Sequence, residues 1–231
     1  MTEQQKTFTT SDGTELFYRY RPAKDGSTDK AIVLFHRGHE HSGRLMYLAD
    51  ELGLDDFAFF AWDARGHGNS PGARGDSPGI ATSVADIQDF MHHIAHHYHI
   101  APENTAVIAQ SVGAVLVATW LHDYAPPIRC AVLASPAFSV KLYVPFARPG
   151  LKLLHKLRGN FFVNSYVKAH YLTHDTARQE DFKRDPLIVR PISVRVLLGL
   201  YDTAERIVAD AQAITTPLLL LISGDDKVVH H

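Results

Sequence analysis

The sequence predicts an α/β fold: a mostly parallel sheet with helices on both faces and a helical cap inserted over one end. Three observations lead there. Short continuous apolar runs recur at 31–35, 57–62, 105–109, 131–134 and 217–222, the pattern of strands buried on both faces. Segments of helical length, at 45–52, 83–97, 113–124 and 194–214, alternate with these runs, which reads as βαβ units around a parallel sheet. One stretch, about 138–190, breaks the alternation and is long enough to form a cap.

Each element has a local reason. Residues 8–20 hold two extended runs split by Asp12-Gly13, a dipeptide that relieves the strain of a tight turn, so the fold opens on a β-hairpin. A polar loop (24–30) leads to the first buried run, AIVLF. The inserted stretch is rich in Pro, Phe, Tyr and Leu without a period of two. From Tyr124 to His174 there is no Asp or Glu, while Arg129, Lys141, Arg148, Lys152, Lys156, Arg158 and Lys168 carry positive charge. An apolar, basic cap suits amphiphilic or anionic lipids or a membrane surface; the same pattern also fits a solvated face of a structural cap. There is no internal repeat and no low-complexity tract.

Bulk properties narrow the class of protein. With 231 residues and 45% hydrophobic content, the chain is expected to be a single domain, 1–231. A net charge of −2 argues against nucleic acid as the main partner, since phosphate backbones call for a concentrated basic surface. The one cysteine, Cys130, has no partner for an internal disulfide; it suits a reducing compartment and reads as a buried, inert thiol. The stretch MTEQQKTFTT lacks the apolar core of a targeting signal, and no run reaches the about 18 apolar residues of a membrane span. A cytoplasmic location is the resulting expectation.

The chemistry-bearing stretch is VIAQSVGAVL (107–116), where Ser111 stands between Ala109 and Gly113. A sharp strand-to-helix turn lifts such a side chain above the carboxyl ends of a parallel sheet, and small residues two positions either side let the backbone pass. Alone, this pattern fits an ordinary core serine equally well. Upstream, FHRGHEHSGR (35–44) leaves one predicted strand and WDARGHGNSPG (62–72) leaves the next. Taken with AQSVG and with the SxxDIxDF run at 83–90, these motifs resemble the α/β-hydrolase superfamily. The similarity is to its monoacylglycerol lipase and lysophospholipase branch, a serine aminopeptidase-type hydrolase domain. It extends from about residue 8 to the last residue and is loosest in the cap.

The resemblance implies acyl transfer by a serine without a cofactor, on a small-molecule carboxylic ester such as a monoacylglycerol or a lysophospholipid. Ser111 would attack the ester carbonyl, and the N–H groups of Gly38 and Val112 would hold the oxyanion. The family has glycine at the second position of the oxyanion loop and this chain has Arg37, which either crowds the turn or attracts an anionic head group. Asp226, in LLLLISGDDKVV, is the implied acid, with Asp225 as the alternative.

The family's histidine lies well beyond its acid, whereas this sequence stops at His231. His230 and His231 follow Asp226 too closely to reach back to Ser111. The expectation is therefore a C-terminally incomplete domain whose base lies beyond His231, and a 231-residue chain that is a poor catalyst by itself. The competing reading is a non-catalytic α/β-hydrolase domain that binds an acyl ligand or a partner. No metal is expected: His36, His39 and His41 are explained by the lipase-like motif, His67 reads as a structural loop residue, and the histidines at 92, 93, 96, 97 and 99 read as a solvated helix face with no H-E-x-x-H pattern.

Overall fold

The computed structural model describes residues 2–141, 146–165 and 167–230. Strands β1 (Gln4–Thr9) and β2 (Glu15–Arg21) form the opening hairpin. They are followed by β3 (Ala31–Phe35), the single helical turn α1 (Leu48–Glu51), β4 (Ala58–Trp62), α2 (Ile80–Tyr98), β5 (Thr105–Gln110), α3 (Val112–Tyr124) and β6 (Cys130–Ala134). The segment after β6 holds α4 (Ala147–Arg158), β7 (Phe162–Asn164), α5 (Ala169–Leu172), α6 (Thr176–Arg184) and β8 (Pro191–Ser193). The chain then returns to the sheet through α7 (Val194–Ala209) and β9 (Leu218–Leu221).

Seven strands make one sheet in the order β1-β2-β4-β3-β5-β6-β9, antiparallel at the hairpin end and parallel from β4 onward. Register decides where the loops emerge. Phe35 pairs with Ala109, Gln110 with Ala134 and Ala134 with Leu221, so β3, β5, β6 and β9 end level and the segments after them open on one edge of the sheet. That is the edge where parallel α/β sheets bind ligands.

The pleat divides the apolar residues of β3 between two layers. Ala31, Val33 and Phe35 join Phe60, Trp62 and the buried faces of α2, α3 and α7, whereas Ile32 and Leu34 join Phe59, Ala61, Leu45, Met46 and Ala49. Arg65 anchors the loop after β4 to α2: its guanidinium makes a bidentate pair with the buried Asp86 (2.6 and 2.7 Å) and reaches Asp12 at 2.9 Å. Burial pushes the Asp86 carboxyl up, while the Arg65 guanidinium holds the exposed Asp12 carboxyl well below its ordinary range.

Several elements differ from the sequence expectation. The helix expected at 45–52 is a 3-10 turn (Ser42–Arg44) followed by the one-turn α1, because the Ser42 N–H is tied to the Asp63 carboxylate (2.6 Å). The helix expected to run to 214 ends at Ala209, where Asp210 leaves helical geometry and bonds the His122 ring (2.9 Å). Among the described residues β9 pairs with β6, and Leu218 to Leu221 are 39–53% exposed rather than buried on both faces. Cys130 is half-buried at the start of β6 rather than fully enclosed. Among the helix-end histidines, His93 is packed, not solvated: it meets the Tyr18 hydroxyl at 3.0 Å, and burial brings its ring down to about 4.

The segment after β6 is helical, and it also contains the antiparallel pair β7–β8, which the sequence pattern did not reveal. Its basic character is partly spent at home, because Arg148 pairs with Asp202 and Glu205 of α7 and Lys152 with Asp202.

Candidate active site

Ser111 sits at the junction of β5 and α3 with φ 54° and ψ −114°, a conformation side-chain-bearing residues rarely adopt. Strain of this kind costs about 1–3 kcal/mol and persists only where the surroundings enforce it. Here they do: the Ser111 N–H donates to the Ala134 carbonyl (3.0 Å), and its carbonyl accepts from Val115 and Ala137 (both 3.2 Å). The flanking small residues have separate reasons. Ala109 is wholly buried in the sheet, and a Cβ on Gly113 would stand 2.4 Å from the His36 carbonyl oxygen.

The five residues singled out from the sequence, Arg37, Gly38, Ser111, Val112 and Asp226, all line one cavity of about 680 Å³ at the carboxyl edge of the sheet. Gly38 and Val112 are neighbours across it: a Cβ on Gly38 would lie 3.1 Å from Val112 Cγ2. Val112 opens α3, so its N–H has no partner within the helix and adds to the positive end of the helix dipole. An oxyanion hole calls for two N–H groups beside a serine, and Gly38 and Val112 border the same cavity as Ser111.

The two aspartates separate clearly. Asp226 Oδ1 accepts from the N–H groups of Val228 (2.7 Å) and Val229 (2.9 Å), which fixes the carboxylate at the cavity wall. Asp225 is exposed and paired with Lys227, which holds its carboxyl below the ordinary range. The turn carrying them is pinned to the segment after β6 by the Val140–Val229 bridge and by the Lys141 ammonium on the Asp226 carbonyl.

Three histidines line the cavity, and two of them are structural. His36 is buried with Nδ1 at the Arg37 carbonyl (2.8 Å) and Nε2 accepting from the Ala64 N–H (3.0 Å); burial lowers its basicity. His67 packs against it, bonds the Arg65 carbonyl (2.9 Å) and is brought by burial down to about 3. His39 has a left-handed backbone (φ 72°), and burial keeps its ring below the ordinary value. Among the described residues no histidine hydrogen-bonds Ser111 Oγ. His230 is exposed, with its N–H on the Ser139 carbonyl (2.8 Å), and His231 lies outside the described residues. Among the described residues no group of three His, Cys, Asp or Glu side chains is placed to hold a metal ion.

The DARGHGNS loop frames the site through Asp63, which is fully buried and accepts from Ser42 N–H (2.6 Å) and Asn69 N–H (2.8 Å). Gly68 is obligatory there, since a Cβ would fall 2.1 Å from Asp63 Oδ2. Sequence reasoning missed Asp76, whose Oδ1 is buried at the cavity wall without a partner while Oδ2 meets Arg195 at 2.7 Å. The continuation of the glycine-rich loop through GARGDSPG is the only sequence signal for it. The apolar wall is supplied in part by α4, whose Ala147, Gly150, Leu151 and Leu154 recur at helical spacing and line the cavity.

A largely parallel sheet with an antiparallel start, a strained serine at a β5–α3 turn and a helical segment over its carboxyl edge define an α/β-hydrolase fold. The family model described as "Serine aminopeptidase, S33" matches residues 26–231, and the chain belongs to that family. It is 64% identical over 223 residues to uncharacterized protein YnbC of Escherichia coli (strain K12), covering 96% of this chain and 38% of that protein. It is 27% identical over 203 residues to a monoacylglycerol lipase of Mycolicibacterium smegmatis, covering 86% of this chain and 70% of that one. A crystal structure of a soluble variant of monoglyceride lipase from Saccharomyces cerevisiae superposes with a TM-score of 0.81 at 16% identity, covering all of this chain and 79% of that one, and shows likeness of fold. The chain thus spans well under half the length of the Escherichia coli relative it matches. The family model and these likenesses place the chain among α/β-hydrolases.

Proposed function

We propose that this chain carries the nucleophile of a serine hydrolase that cleaves monoacylglycerols or lysophospholipids through an acyl-enzyme, at the cytoplasmic face of a membrane. The observation that carries the reading is the convergence of a strained Ser111, the Gly38 and Val112 N–H pair and Asp226 on one apolar cavity. Ser111 Oγ attacks the ester carbonyl, and the oxyanion accepts from Gly38 and Val112 N–H as it forms. The alcohol leaves with the proton taken from Ser111, and water then releases the fatty acid. Asp226 orients the proton-carrying histidine, which in this reading lies C-terminal to His231, as the resemblance implies. No cofactor takes part.

The surface of α4 supports lipid access. Leu153 (59% exposed) and Leu157 (72%) continue the apolar face of α4 outward from the cavity-lining Leu151 and Leu154, and Phe146 (86%) stands at the cavity rim. A helix with one broad apolar face, part of it lining the cavity and part of it exposed, and with Lys152 and Lys156 on its other side fits a lipid surface continuous with an acyl-chain site. Binding of an acyl ligand without turnover is the second reading, favoured by the lack of a histidine bonded to Ser111 among the described residues. A fluorophosphonate probe on the full polypeptide separates the two. The hydrolase reading expects labelling at Ser111 that is lost in Ser111→Ala, together with turnover of a monoacylglycerol; no labelling and no turnover leave only the binding reading.

A further inference from the structure

A second, smaller concavity of about 280 Å³ adjoins the main cavity, and Arg37, Gln110, Leu172 and Phe182 line both. Gln110 is the residue before Ser111, so the two spaces meet beside the nucleophile. Their chemistry is opposite. The large cavity is lined mainly by Leu, Ile, Val and aromatic side chains, whereas the smaller is bordered by three guanidinium groups, Arg37, Arg44 and Arg178, and one carboxylate, Glu40.

The internal ion pairs do not use up the donors. Glu40 is buried, and its Oε1 is shared between Arg37 Nη2 (2.5 Å) and Arg44 Nε (3.2 Å). Arg44 Nη1 also reaches Asp185 at 3.5 Å, but that carboxylate is engaged by His41 (2.9 Å). Arg37 Nε is buried with no hydrogen-bond partner among the described residues, so part of this guanidinium's charge is not matched by the Glu40 carboxylate. Arg178 lies flat over the Tyr47 ring at 4.5 Å, and its one carboxylate neighbour, Asp175, stands off at 3.7 Å from Nε. Its terminal nitrogens hold no bond to a described residue and border the concavity.

A neutral hydroxyl offers one weak acceptor to such a site. A phosphate offers several charged oxygens, matching the planar guanidinium forks that border the concavity. With the acyl chain in the large cavity and the ester carbonyl at Ser111, the alcohol part of the substrate leaves toward Gln110 and Arg37. We infer that the smaller concavity is a subsite for the phosphate on the alcohol part of a monoacyl glycerolipid, with Arg37 and Arg178 as its specificity-determining residues. This rests on the hydrolase reading above and narrows its substrate from monoacylglycerols or lysophospholipids to a phosphate-bearing lysolipid.

The test compares, on the full polypeptide, kcat/KM for 1-acylglycerol 3-phosphate and for the 1-monoacylglycerol of the same chain length, both below their aggregation limits. The phosphate-bearing ester is expected to be preferred by about tenfold or more, because a site built to bond a group discriminates against the analogue lacking it. In Arg37→Gln and in Arg178→Gln that preference is expected to collapse toward unity. Arg178 is half-exposed, so its variant reports on the subsite even where the loss of Arg37 disturbs Glu40. Equal kcat/KM for the two lipids in the unaltered protein overturns the inference. Calorimetric titration of Ser111→Ala with the phosphate lipid, the neutral lipid and inorganic phosphate provides the arm independent of turnover. Tighter binding of the phosphate lipid, lost in Ser111→Ala/Arg178→Gln, supports the subsite even if neither ester is hydrolysed. Binding of inorganic phosphate as tight as that of the phosphate lipid assigns the concavity to free phosphate and overturns the lipid assignment.

Discussion

Gly113, the second residue of α3, lies against the backbone of His36: a Cβ at Gly113 would stand 2.4 Å from the His36 carbonyl oxygen and 2.9 Å from that of Phe35. This contact brings the start of the helix behind Ser111 against the loop that carries Arg37 and Gly38. The approach of Ser111 and Val112 to that loop therefore depends on a missing methyl group at Gly113. Gly113→Ala must push two main-chain carbonyls away, and neither is the free end of a side chain. The expected outcome is a loss of about 1–3 kcal/mol in urea-unfolding stability, with slower fluorophosphonate labelling of Ser111 even where the protein remains folded.

The placement of the two adjacent aspartates predicts opposite results for the same substitution. Asp226→Asn removes a carboxylate held at the cavity wall by Val228 and Val229, and is expected to lower ester kcat/KM by about 10³- to 10⁴-fold, as loss of the orienting acid does in serine triads. Asp225→Asn changes an exposed pair with Lys227 and is expected to leave kcat/KM within about twofold, since exposed pairs contribute little. Equal effects of the two substitutions would reverse the assignment of the acid.

Arg65 and Asp86 predict a structural loss distinct from any catalytic one. Arg65→Met strands a carboxylate whose side chain is 3% exposed and already pushed up by burial. Breaking a buried pair from one side costs about 3–5 kcal/mol. Arg65→Met combined with Asp86→Leu should recover much of this in thermal unfolding, because the second change removes the uncompensated charge.

His67 predicts how stability depends on pH. Burial lowers its ring from 6.5 to about 3 in the folded protein, so the unfolded chain takes up the proton first. Stability from this group is complete above pH 6.5 and declines as pH falls from there toward 3, by up to about 1.4 kcal/mol per pH unit. His36, lowered by burial as well, acts in the same direction. Urea midpoints measured at pH 7.5 and 4.5 should differ less in His67→Asn than in the unaltered protein; an unchanged difference would count against this source.

The outward face of α4 predicts a substrate-dependent effect. Leu153→Asp and Leu157→Asp remove exposed apolar side chains, each contributing about 1.5–3 kcal/mol when buried. Sedimentation with anionic phosphatidylglycerol vesicles should weaken by about tenfold or more for each, and hydrolysis of vesicle-borne ester should fall with it. Hydrolysis of a short-chain, monomeric ester should change little, because these leucines do not line the cavity.

The sequence determined by itself whatever depends on residues close together along the chain. The apolar runs and their spacing specified β3 to β6 nearly to the residue, and the loop motifs singled out Ser111, Gly38 and Asp226, which line one cavity. A strand, a turn dipeptide and a nucleophile elbow are all written in local backbone and side-chain preference. Tertiary structure alone decided the rest. β9 has the composition of a buried strand, yet its exposure depends on which neighbours flank it, and composition carries no record of that. Asp226 was separated from Asp225 only by the direction in which the turn points each carboxylate. Arg37 was left between two roles because Gln110 and Arg178 border the same concavity only in three dimensions, where α6 folds back over the loop after β3. Burial, orphaned donors and shared walls are properties of distant segments brought together, so the side pocket could be read only from the folded chain.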